Sequence, residues 1–223
     1  MPPRLISFLT TLLTPLVLLG LALRLLLTPA FLHIEYNLPG FPPDKYGFTT
    51  ADRLTYAPFA LEYLLNNQGI SYLEQLTFPN GTPLFNAREL SHMQDVKIIT
   101  QASLKIWYAS LLLLFLLGVW ARQGKWQPAY LQGLKRGGWL TLGLVVTVGL
   151  FAALAFWQFF TWFHALFFEG DSWLFLYSDT LIRLFPMQFW QDVFLGGGLI
   201  AAAGAAGLIL GIRNPRFGVK DSV

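Results

Sequence analysis

The chain has 223 residues, of which 55% are hydrophobic and 12% charged, against about 25% charged in an ordinary soluble domain. With 8 Trp, 20 Phe and long leucine-rich runs, this balance excludes a soluble globule. A net charge of +3, concentrated in short loops, describes topology and not a nucleic-acid surface, and the lack of cysteine excludes disulfides, thiolate metal sites, a cysteine nucleophile and lipidation of this chain on Cys.

Residues 1–29 hold the first apolar run, preceded by Arg4. The run exceeds the roughly 7–15 residues of a signal-peptide core and no clean small-residue cleavage site follows, so an uncleaved anchor is expected. Pro15 is expected to kink it. Arg24, near its outer end, either snorkels or meets an anionic headgroup or an acidic partner.

Residues 30–97 form a polar insert. Pro29, Pro39, Gly40, Pro42 and Pro43 punctuate its opening and argue against a regular helix there. Residues 50–66 read as helical, with Leu54, Phe59, Leu61, Leu64 and Leu65 as the apolar side and Pro58 as a break or kink. Residues 76–85, centred on Pro79–Asn80–Gly81–Thr82, suit a small hairpin or a tight turn. The insert is too short for a large core of its own and is expected to lie as a cap over the membrane helices.

The insert ends in LFNARELSHMQDVK, residues 84–97. Asn86 and Glu89 have capping-box spacing, which starts a helix at Ala87. Continued to Trp120, that helix is about 34 residues or roughly 51 Å long, against a hydrocarbon layer of about 30 Å. Its first third therefore stands at the headgroups or above them and carries His92. Glu89 and Asp95, three residues to either side, share a face with the imidazole.

The second span is expected over 98–121, followed by a basic loop at 122–137 with Arg122, Lys125, Lys135 and Arg136. A third span covers 138–162. Residues 163–185 form a second outer segment, broken by Gly170 and holding a short helix capped by Ser178 or Asp179. Pro186 opens a fourth span over 186–211, whose Gly196–Gly197–Gly198 and later small residues suit a tightly packed wall or a cleft for an acyl chain. The tail, 212–223, carries Arg213, Arg216 and Lys220.

Residues 30–97 contain seven acidic and four basic residues, whereas the 122–136 loop and the 213–220 stretch together contain seven basic and no acidic ones. The positive-inside rule then places both termini and the middle loop in the cytoplasm. The expected fold is an all-α integral membrane protein: four transmembrane helices, with an extracytoplasmic cap between the first and second.

His33, His92 and His164 are the only side chains whose ordinary pKa lies near neutrality. Spans two and three are joined by a short loop, which brings His92 and His164 together as general base and as general acid or electrostatic stabiliser. The three histidines plus a carboxylate are a competing zinc set, although their spacing matches no metal motif. No G-x-S-x-G elbow exists, and Ser91 points about 100° away from His92 on a helix. A reaction whose nucleophile belongs to the substrate fits best. Arg183 either pairs with Asp179 at i,i+4 or clamps a carbonyl or phosphate oxygen. Tyr36, Asn37, Tyr46, Tyr56, Asn86 and Tyr177 supply neutral hydrogen bonds, and Trp107, Trp157, Trp162, Trp173 and Trp190 suit an interfacial belt.

Two stretches, LFNARELSHMQDVK and FHALFFEGDSWLFLYSDTLIRLFPMQFWQD (residues 163–192), resemble the two signature regions of a bacterial family of four-span membrane proteins, the lipoprotein intramolecular transacylase (Lit) family. The resemblance implies movement of the sn-2 acyl chain of a diacylglyceryl-cysteine lipoprotein to the α-amine of the same cysteine, with no cofactor or metal. It implies a multi-pass protein of the bacterial cytoplasmic membrane, with membrane lipid and the lipoprotein N-terminus, arriving laterally from the outer leaflet, as partners. His92 and His164 match the family's catalytic pair. His92, poised by Asp95 or Glu89, is expected to take the amine proton while His164 stabilises the oxyanion or protonates the leaving oxygen. Arg183, Asp179, Asn86, Arg24 and Tyr177 are candidates for binding substrate or the oxyanion. Met187 and Gln188 depart from relatives, which often carry a charged residue after the proline. The rival readings are a membrane-embedded ester hydrolase or intermolecular acyltransferase using the same histidines, and a non-enzymatic lipoprotein-binding factor.

Overall fold

The computed structural model describes residues 3–212, so Arg213, Arg216 and Lys220 of the expected tail lie outside the described residues. Among the described residues there are nine helices: α1 (Pro3–Leu26), α2 (Pro29–Tyr36), α3 (Thr50–Leu65), α4 (Ser71–Glu74), α5 (Ala87–Gln123), α6 (Gln127–Leu154), α7 (Phe156–Phe167), α8 (Thr180–Leu184) and α9 (Met187–Gly211). Four of them, α1, α5, α6 and α9, are long and apolar enough to cross a membrane.

Local chemistry explains the starts and breaks. Helix α2 corrects the expectation that prolines exclude a helix at the opening of the insert. Pro29 occupies a first-turn position where its missing N–H is not needed, and the Thr28 hydroxyl accepts from Phe31 N at 3.3 Å. Thr49 and Asp52 form a reciprocal capping box for α3, and Pro58 sits inside that helix without ending it. Its buried residues are Arg53, Ala57, Ala60, Leu61 and Tyr63; of the apolar side expected from the sequence, Leu54, Phe59 and Leu64 also pack, partly buried, against the core, and Leu65 is exposed. Residues 76–84 make a tight turn with one bridge between Thr77 and Pro83, Gly81 adopting φ +83° at its tip.

The basic stretch expected as a loop over 122–137 is helical from Gln127, with a short link around Lys125. The third span also differs. Helix α6 ends at Leu154, Ala155 leaves helical geometry (φ −148°, ψ 57°), and α7 follows as a separate element. No Gly or Pro marks this break. Phe151 packs on Phe159 across it, and Phe156 and Phe159 both meet Phe194.

The chain divides into two compact units. The first takes the described part of Met1–Leu21, Ile106–Thr147 and Gly198–Val223. Its helices approach through small residues, as lipid-embedded helices must when apolar burial supplies no drive. A Cβ on Gly137 would stand 2.4 Å from Thr14, and one on Gly20 2.3 Å from the Trp107 ring. The Trp107 indole donates to Val17 O at 3.1 Å, so this tryptophan joins helices and is no belt residue. Of the glycines in α9, a Cβ on Gly204 would stand 2.8 Å from the Leu18 side chain, while Gly207 and Gly211 face open space. The wall expected there is therefore partial.

The second unit comprises Ala22–Lys105 and Val148–Gly197. Its core joins Leu32 and Tyr36 of α2, Ala57 and Leu61 of α3, Leu84, Phe85 and Met93 around the start of α5, Leu181 and Leu184 of α8, and Phe189 of α9. The buried Tyr36 hydroxyl donates to Leu184 O at 2.9 Å. Glu35, buried beside Asp192, has its pKa raised to about 7, first by burial and then by the neighbouring carboxylate.

Two outcomes follow. Gly137→Val forces a branched side chain into Thr14 and is expected to lower stability by about 1–3 kcal/mol, read as a fall in Tm, while Gly143→Ala, where nothing lies within 4 Å, leaves Tm unchanged. Because Glu35 is held above its ordinary pKa of 4.5, its contribution is fully present below that pH and is lost as pH rises through about 7. Glu35→Gln is therefore expected to raise Tm at pH 8 and to leave it nearly unchanged at pH 4, measured by thermal unfolding in detergent.

Candidate active site

The site starts from Glu89, a carboxylate only 1% exposed. Its Oε2 accepts from Asn86 N at 2.8 Å while Asn86 Oδ1 accepts from Glu89 N at 3.0 Å, completing the capping box of α5. Its Oε1 accepts from Leu181 N in the first turn of α8. Asp179, the N-cap residue of α8, gives that helix no side-chain cap and instead accepts from Leu176 N and Asn86 Nδ2. Glu89 thus caps two helices at once.

This corrects the expected role of Glu89: both oxygens serve backbone amides, and none of its hydrogen bonds reaches His92. Asp95 likewise forms no hydrogen bond or ion pair with the imidazole among the described residues. Nor does Arg183 pair with Asp179. Its guanidinium binds Asp44 at 3.0 Å and Tyr46 O at 3.1 Å, over the Phe48 ring. Arg24 turns back to Leu27 O at 3.1 Å, satisfying the end of its own helix. Tyr177 is 77% exposed and touches neither histidine.

His92 and His164 do come together. Each is 8% exposed, and their rings lie nearly parallel with centroids 6.2 Å apart. His33 is exposed on α2, and no group of three or more metal-binding side chains gathers among the described residues, so the competing zinc set lacks a geometry. The histidines are walled by aromatic rings. Phe160 (4.1 Å), Trp173 (4.6 Å) and Phe168 (5.4 Å) surround His164, and Phe168 (4.8 Å) and Phe175 (5.3 Å) flank His92.

The two imidazoles differ in hydrogen bonding. His164 Nδ1 lies 2.7 Å from Phe160 O, one turn back on α7. A carbonyl only accepts, so Nδ1 carries the proton and the Nε2 lone pair is free. Burial depresses the His164 pKa, partly offset by that carbonyl, and keeps the ring neutral. His92 Nδ1 is buried and has no hydrogen-bond partner among the described residues, an arrangement that costs stability unless a polar group meets it.

Phe160, Phe168, Trp173 and Phe175 are functional neighbours that the sequence reading missed or assigned to the belt. The i,i+4 spacing of Phe160 and His164 on α7 was the available signal for the first. The segment bearing the other three is held by Arg88, whose Nη1 donates to Leu174 O at 3.0 Å.

A polytopic all-helical chain with two buried, neutral imidazoles in an aromatic pocket defines a membrane protein equipped for proton transfer. The family described as lipoprotein intramolecular transacylase Lit matches residues 8–190, and the chain belongs to that family. It is 30% identical to an uncharacterized protein of Aquifex aeolicus (strain VF5), with 96% of each chain covered. In fold it is similar to the membrane-integral lipoprotein intramolecular transacylase Lit of Bacillus cereus, with a TM-score of 0.70, 20% identity and 92% of each chain covered. A histidine-to-arginine variant of that protein matches with a TM-score of 0.72, at 21% identity over 95% of this chain and 90% of the variant.

Removal of the shared cap tests this construction. Glu89→Ala leaves Leu181 N and Asn86 N without acceptors and is expected to cost about 1–3 kcal/mol, read as a lower Tm together with loss of activity. Asp95→Asn, by contrast, leaves both unchanged.

Proposed function

We propose that this chain catalyses intramolecular O-to-N acyl transfer on a diacylated lipoprotein, moving the sn-2 acyl chain onto the N-terminal cysteine amine and giving the lyso form. Family membership supports the reaction class. The hydrogen bond from His164 Nδ1–H to Phe160 O carries the mechanism.

His164 Nε2 takes the proton from the substrate amine as that nitrogen attacks the ester carbonyl. A ring N–H of His92 donates to the oxyanion that forms. On collapse, the proton on His164 passes to the sn-2 oxygen. One N–C bond replaces one O–C bond, and a single proton moves from nitrogen to oxygen. This reverses the roles the sequence suggested. His92 has no carboxylate to make it a stronger base, whereas His164 has an acceptor that fixes its tautomer.

The aromatic wall favours this reading over the hydrolase. Apolar rings against both buried imidazoles offer no hydrogen-bond partner that would hold and orient a water as nucleophile. The charge distribution supports a topology with both termini inside, residues 30–97 and 163–185 outside as the cap, and the histidines at the outer leaflet of the bacterial cytoplasmic membrane. Substrate and lipid then arrive laterally from that leaflet.

Mass spectrometry of a diacyl lipoprotein's N-terminal peptide, after incubation with the purified protein, tests the proposal. Unchanged total mass with the acyl group on the amine is expected, with His92→Gln and His164→Gln each losing at least ~100-fold in rate. Release of free fatty acid would instead establish a hydrolase. The rate is expected to fall as pH drops below the ordinary histidine range, because burial holds the His164 pKa below its ordinary value and the ring protonates only there.

A further inference from the structure

A cavity of about 410 Å³ lies against the start of α3, lined by Tyr36, Phe41, Phe48, Thr49, Thr50 and Arg53 among others. Neither catalytic histidine borders it. Arg53 is only 4% exposed. Its Nε donates to Arg183 O at 3.0 Å and its Nη1 to Pro42 O at 2.8 Å, over the Phe41 ring. Nη2 donates to nothing among the described residues, and Arg53 forms no ion pair there.

Buried guanidinium groups are ordinarily matched by an anion. The carboxylates near Arg53 are already engaged. Asp44 holds Arg183 and Phe48 N, and Asp52 turns back onto Thr49 N and Oγ1. Glu35 is held toward its neutral form by burial. The same cavity also receives the first turn of α3, a helix of 16 residues whose Thr50 N–H and hydroxyl bond to nothing else among the described residues. A helix N-terminus and a guanidinium that line one recess have the makings of an anion cradle. Its volume lies in the range of small-molecule sites, and Phe41, Pro42, Pro43 and Phe48 give it an apolar flank.

We infer that this recess is a binding site for a phosphate ester of glycerophosphate type, held by Arg53 Nη2 and the Thr50 N–H and hydroxyl. Its source is either the headgroup of an anionic phospholipid or a soluble phosphate ester. The inference stands apart from the acyl-transfer chemistry, since it uses neither histidine.

Thermal unfolding of the full chain tests it with three probes: inorganic phosphate, glycerol phosphate in neutral detergent, and nanodiscs with and without phosphatidylglycerol. A saturable rise in Tm is expected, with half-effect below about 1 mM for the soluble ester, as a few charge-assisted contacts provide. An effect from glycerol phosphate or inorganic phosphate identifies a soluble ligand, and one seen only with phosphatidylglycerol identifies the headgroup. Arg53→Gln is expected to abolish the shift. Thr50→Pro serves if Arg53→Gln fails to fold, because proline suits the first helical position and the extended Thr49 before it, yet removes the N–H and hydroxyl. It is expected to weaken the apparent affinity at least ~10-fold. Absence of any saturable shift in the wild-type chain, or shifts of equal affinity in the folded variants, overturns the inference.

Discussion

A buried carboxylate in a low-dielectric interior is costly unless hydrogen-bond donors surround it, and Glu89 meets that demand with the starts of two helices. Its oxygens accept from Asn86 N and Leu181 N, so the first turn of α5 and the first turn of α8 are tied to one group. Charge-assisted bonds of this kind are short and directional. His92, three residues further along α5, inherits its position from that turn. Arg88, the residue before the carboxylate, holds Leu174 O and with it the segment that carries Trp173 and Phe175. One turn of helix therefore places His92 and part of the aromatic wall around it.

The chemistry follows from what this pocket lacks as much as from what it holds. Aromatic rings pack against both imidazoles, and among the described residues no hydrogen bond ties either histidine to a serine or a carboxylate. A substrate that carries both amine and ester needs only proximity, one proton relay and a donor for the oxyanion. In the proposed reaction the two histidines supply the relay and the donor. The Phe160 carbonyl holds the Nδ1 proton of His164, whereas His92 Nδ1 meets no partner among the described residues, and that difference is what the proposed division of roles rests on.

The apolar helices obey a separate rule. Because lipid gives helices no hydrophobic reason to associate, close approach at Gly20, Gly133 and Gly137 provides the contact, with threonine and tryptophan side chains pressed against bare backbone. The break at Ala155 turns the chain from α6 into a distinct α7, and its aromatic residues cluster with Phe194 around that turn. His164 sits on α7 as a result, one turn beyond the carbonyl that orients it.

The sequence by itself determined the four apolar helices, the capping box at Asn86 and Glu89, and the histidines as the side chains that titrate near neutrality. Each rests on short-range information: hydropathy over one helix, a three-residue cap, or the one side chain that titrates near neutrality. It misjudged α2, where proline at a first-turn position starts a helix instead of preventing one, and it missed the break at Ala155, which no Gly or Pro announces. Only the tertiary structure decided which partners the polar residues take. Glu89 meets Leu181 across 92 positions, Arg183 meets Asp44 across 139, and Arg53 meets the Arg183 carbonyl across 130. Local periodicity puts a carboxylate beside a histidine on a helix, but it cannot show that backbone amides from a distant helix will claim that carboxylate first.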